Sequence, residues 1–138
     1  MFVAGLGIPT MAAANAGLGR SLGSPLAATV VLYGLALALT LPLLLRAGMP
    51  AGAQFRAAPP VLYIGAALNI LYVLGVTWAA PRIGVGNAIF LVLFGQLISA
   101  ATIDHVGLWG SVQSSITLRR VAGIVVMALG VYLARKPV

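Results

Sequence analysis

The chain has 138 residues, 62% of them hydrophobic and 7% charged, with 8 Lys or Arg against 1 acidic side chain and a formal charge of +7. It has no cysteine, which excludes disulfides, thiolate chemistry and cysteine-ligated metal sites, and a lone His105 beside a lone Asp104 offers no all-protein metal centre. The cations pair only as Arg119-Arg120 and Arg135-Lys136, at the edges of an apolar run where lipid headgroups neutralise them, so no nucleic-acid partner is expected.

The charges fall between long uncharged stretches. A hydrocarbon core about 30 Å thick needs roughly 20 apolar residues per helix. The pattern therefore predicts an all-α integral membrane protein, one transmembrane helical domain over residues 1–138. Its five spans lie near residues 2–19, 25–45, 60–80, 84–103 and 119–135. Membrane lipids are its immediate partners.

The first span carries Gly5, Gly7, Pro9, Asn15 and Gly17. A proline at that depth frees a backbone carbonyl, so this span is the expected broken helix. Its apolar run precedes its first charge, Arg20, whereas a secretory signal puts basic residues first; a retained helix is expected. After the loop Gly19–Ser24, Pro25 suits the first turn of the second span, which is rich in Leu and Ala and carries the weakest functional signal. A loop from Arg46 to Pro59 holds several Gly and Pro breakers.

The third span sets Gly65, Asn69, Tyr72 and Val76 on one face, and Pro81-Arg82 is expected to end it. The fourth carries Asn87, Gln96 and Ser99. Asp104-His105 then leads into a turn-like Gly-rich stretch with Trp109 as an interfacial anchor. The fifth has an uncharged core, Val121–Ala134, of only about 14 residues or roughly 21 Å of helix. It crosses if the bilayer thins and the flanking cations snorkel.

With five spans, Arg46, Arg56, Arg119 and Arg120 fall on the side of the N-terminus and Arg20, Arg82, Arg135 and Lys136 on the other, an even split. The positive-inside rule then gives no strong preference for either orientation. The expectation is dual topology, with two copies forming an antiparallel homodimer of ten helices.

Several segments resemble a known family. These are Pro9 followed by Asn15-Ala16-Gly17-Leu18-Gly19-Arg20, Gly23-Ser24-Pro25, Ala79-Ala80-Pro81-Arg82-Ile83-Gly84 and Gly95-Gln96-Leu97. The series continues with Asp104-His105-Val106-Gly107-Leu108-Trp109-Gly110, Arg120-Val121-Ala122-Gly123 and Gly130-Val131. In order and spacing they resemble the five-helix branch of the drug/metabolite transporter superfamily, the small bacterial YdcZ-like proteins. The resemblance implies a half-size, multi-pass transporter of the bacterial cytoplasmic (inner) membrane that pairs into a pseudo-symmetric carrier. The small multidrug-resistance relatives carry a mid-membrane Glu in the first helix; this chain has none, which argues against proton antiport by that route.

In an antiparallel pair only mid-span residues of the two copies can meet in one central site. Asn69, Tyr72 and Gln96 lie near the middle of their spans and Asn15 within about two turns of its own, which makes them the candidate substrate-binding residues. Pro9 and Asp104 are candidates for gating or structural roles, Asp104 because a peripheral acid can be hydrated, cap a helix or pair with an Arg. The function expected is secondary transport of a small organic compound by alternating access. Flipping of a lipid-linked substrate or a non-transporting accessory role is the alternative. With no nucleophile–base pair and no phosphate loop, neither catalysis nor a cofactor is expected.

Overall fold

A computed structural model describes residues 1–134. Arg135 and Lys136, and with them the far end of the fifth span, lie outside the described residues. Every regular element among the described residues is helical: α1 (Phe2–Ser21), α2 (Pro25–Ala47), α3 (Gly52–Ala57), α4 (Ile64–Ile83), α5 (Val85–Val106) and α6 (Leu118–Ala134). A 3-10 turn, Pro60–Tyr63, leads directly into α4. Four segments are long and apolar enough to cross a membrane: Phe2–Ser21, Pro25–Ala47, Pro60–Ile83 and Val85–Val106. Over its described part α6 has 17 residues, about 25 Å at 1.5 Å per residue.

The chain is thus a multi-pass membrane protein, and two details of the sequence expectation change. Pro9 does not interrupt α1, which stays helical from Phe2 to Ser21. The proline nitrogen withholds a single hydrogen bond, to the carbonyl of Gly5, and the turns on either side carry the helix through. Likewise α4 runs past Pro81 and ends only before Gly84, whose φ of 86° departs from the helix. The loop between α2 and α4 also contains α3, a short helix whose first free N–H, that of Ala51, is capped by Gln54 Oε1 at 2.9 Å.

The contacts divide the chain into two compact units, Met1–Arg82 and the residues from Ile83 onward. In the first, α1 turns sharply into α2. Ser24 N–H donates to Gly19 O at 3.0 Å and Gly23 N–H to Arg20 O at 3.2 Å, closing the helix with Gly23 at φ 65°. A side chain is strained in that left-handed conformation, and glycine is not. Ser24 Oγ then accepts from Ala27 N–H at 3.1 Å and Pro25 fills the first turn of α2.

Lipid tails are as apolar as leucine, so helices associate in a membrane through close packing and polar contacts. The first unit follows that logic. Ala12, Asn15, Ala16 and Gly19 form the buried stripe of α1, opposite Ala28 and Thr29 of α2 and Val73, Val76, Thr77 and Ala80 of α4. A Cβ on Gly19 would sit 3.3 Å from Thr77 Cγ2 and 3.4 Å from Pro25 Cα, so the absence of a side chain there sets how closely the three helices approach.

In the second unit α5 packs on α6. α5 closes at Gly107 in the left-handed conformation, with Gly107 N–H bonded to Ile103 O at 2.8 Å. The segment beyond it folds back over the end of α5. Ser114 N–H donates to Asp104 O at 2.8 Å, Gln113 Nε2 to His105 O at 3.2 Å, and Ile116 N–H to His105 Nδ1 at 3.2 Å.

Candidate functional site

Polar side chains in the first unit fall into two groups. Asn15, 4% exposed, donates through Nδ2 to Thr77 Oγ1 at 2.6 Å. Thr77 Oγ1 in turn donates to Val73 O, one turn earlier in α4, at 2.7 Å. The chain of bonds joins α1 to α4 at the tightest part of the unit. Asn15 therefore acts at least as a clasp between helices.

Tyr72 and Tyr33 make up the second group. Both hydroxyls are buried, and neither has a hydrogen-bond partner among the described residues. Buried polar atoms are nearly always partnered, and an unpartnered one calls for a specific reason. Tyr72 lies near the middle of the Pro60–Ile83 segment, while Tyr33 lies about two turns into α2. Tyr72 stood out from the sequence by its depth. Tyr33 did not, because α2 is apolar on every face and gives no register by which to single out one residue.

The remaining candidates are arranged differently. Asn69, on α4, and Gln96, on α5, are both exposed, and neither side chain makes a hydrogen bond among the described residues. Asn69 lies about one turn from Tyr72 on the same helix; Gln96 belongs to the second unit. An amide left facing hydrocarbon costs on the order of several kcal/mol, as any unmade buried hydrogen bond does. Pro9 is half-buried in α1.

Asp104 pairs with an Arg, one of the fates open to it from sequence. Its Oδ2 accepts from Arg120 Nη2 at 2.6 Å, with both side chains about one-third exposed. The pair fastens the end of α5 to the start of α6. Residues 1–82 contain no acidic side chain, so the buried polar groups of the first unit are amides and hydroxyls, able to bind a hydrogen-bonding group but not to neutralise a cation.

Residues 1–133 match the family described as "Putative inner membrane exporter, YdcZ". No curated protein and no solved structure matches the chain.

Proposed function

Since the chain belongs to the YdcZ family of inner-membrane exporters, we propose that it exports a small organic compound by alternating access, as a secondary transporter of the drug/metabolite type. Five spans per copy, the short α6 being the fifth, pair antiparallel with those of a second copy in opposite orientation. The substrate meets Asn15, Asn69, Tyr72 and Gln96 near the midplane, with Tyr33 added to that set. Pro9 and Asp104 serve the framework rather than the substrate.

The unpartnered hydroxyl of Tyr72 carries this reading. A tyrosine kept in an apolar span at the expense of an unmade hydrogen bond is accounted for if the missing partner is the substrate. The exposed mid-span amides of Asn69 and Gln96 support the same view, because a second copy around a central cavity would remove them from lipid. A lining of amides and hydroxyls without an acid favours a neutral, hydrogen-bonding substrate over a cation.

A thermal-shift screen of small organic compounds in mild detergent tests the proposal, because a ligand that binds only the folded state raises its apparent stability. A compound that stabilises the wild type and not Tyr72→Phe is expected. Compounds that stabilise both proteins equally would remove Tyr72 from the site.

A further inference from the structure

The first unit contains an open groove of about 420 Å³, lined by Ser24, by Pro25 and Leu26 at the start of α2, and by Leu71, Leu74, Gly75 and Trp78 of α4. Its volume lies in the range of small-molecule sites, and its walls are almost wholly apolar. At one end the Arg82 guanidinium stacks on the ring of Trp78, 4.1 Å from its centre, and also donates to Trp78 O. Arg20 lies in the last turn of α1, next to Gly19, where a Cβ would come within 3.3 Å of Thr77 and 3.4 Å of Pro25; its guanidinium lies back towards Gly17.

These two arginines have no acid to pair with. The first unit contains none, and the single acidic side chain of the molecule, Asp104, is already bound to Arg120. A second copy brings only its own Asp104, held in the same way by its own Arg120, so no side-chain acid is free for these arginines and an anion from outside can serve them. An apolar groove that ends at an arginine stacked on a tryptophan near the end of a span-length helix matches one kind of molecule, an acyl chain with a phosphate at its head.

We propose that this groove is a binding site for an anionic phospholipid, one acyl chain lying between Leu26 and Leu71–Gly75 and the phosphate held at the Arg82 end. Gly75 leaves the groove open. A Cβ there would meet nothing within 4 Å, so a larger side chain can fill the groove without disturbing the packing of α1, α2 and α4.

Trp78 is one of 2 tryptophans, so with Trp109→Phe as background it reports on the groove alone. The protein is reconstituted in phosphatidylcholine vesicles, and a small fraction of lipid is replaced by phosphatidylglycerol or phosphatidylcholine with brominated acyl chains, which quench tryptophan on contact. Brominated phosphatidylglycerol is expected to quench Trp78 at about one-fifth the mole fraction needed for brominated phosphatidylcholine, the worth of roughly one arginine near an anionic lipid. Arg82→Gln should make the two lipids equal. Gly75→Leu should lower quenching by both while the circular dichroism stays helical. Soluble glycerol phosphate should not compete, because it lacks the chain. Equal quenching by the two lipids in the parent protein, or a preference that survives Arg82→Gln, would overturn the proposal. So would loss of the dimer in Gly75→Leu with lipid quenching unchanged, which would assign the groove to a second copy.

Discussion

Asn15 and Tyr72 are both polar groups inside an apolar bundle, and the structure treats them in opposite ways. Asn15 is bonded to Thr77, whereas the Tyr72 hydroxyl has no partner among the described residues. Their substitutions should differ accordingly. Asn15→Leu and Thr77→Val should each destabilise the protein by about 0.6 kcal/mol and at most about 2, the range for hydrogen bonds between membrane helices. The double variant should lose little more than either single one, as thermal unfolding in mild detergent would show; additive losses would mean that the two side chains act independently. Asn15 was legible in the sequence as an amide within an apolar span. Thr77 was not, because a helical threonine ordinarily bonds back to its own preceding turn, as this one also does. Only the register between α1 and α4 reveals its second role, and that register depends on Gly19.

At the scale of elements, the charge pattern located within a few residues the four helices long and apolar enough to cross a membrane, because uncharged length is the dominant signal in a membrane chain. The misplaced details were all at breakers. Pro9 and Pro81 each remove one donor, and the flanking turns hold the helix, so neither residue ended an element. The helix α3 went unseen because it is 6 residues long and lies among Gly and Pro. For Asp104 the sequence left hydration, a helix cap and an arginine pair all open, and the fold-back of residues 107–117 settles it by bringing Arg120 alongside. Since that pair is about one-third exposed, Asp104→Asn should cost no more than about 1 kcal/mol. High salt should remove only part of that cost, because a partly buried pair is screened less than an exposed one. Transport should persist in the variant. A protein of normal stability that had lost its response to a pH gradient would instead make Asp104 the coupling residue.

At the scale of the whole molecule, the spans are covered with exposed Leu, Ile and Val, as lipid-facing helices require, and the exposed amides are the exceptions in need of cover. An antiparallel pair would provide that cover, and with α6 crossing as a fifth span the even division of the 8 Lys and Arg would remove the usual barrier to inserting both ways. Reporter fusions at Val138 should therefore show both orientations in comparable amounts, and extra Lys residues at one end should fix a single one. A wild type found wholly in one orientation would end the dual-topology account and leave export itself standing. Export through a site that includes Tyr72 is the central claim, and it is tested most directly by mass spectrometry of the medium and the cell contents. Cells would carry the wild type, Tyr72→Phe at equal membrane abundance, or an empty vector. At least one small organic compound should be enriched outside and depleted inside the wild-type cells, and should return to the empty-vector level with Tyr72→Phe. Identical profiles for wild type and empty vector, or for wild type and Tyr72→Phe, would contradict the account.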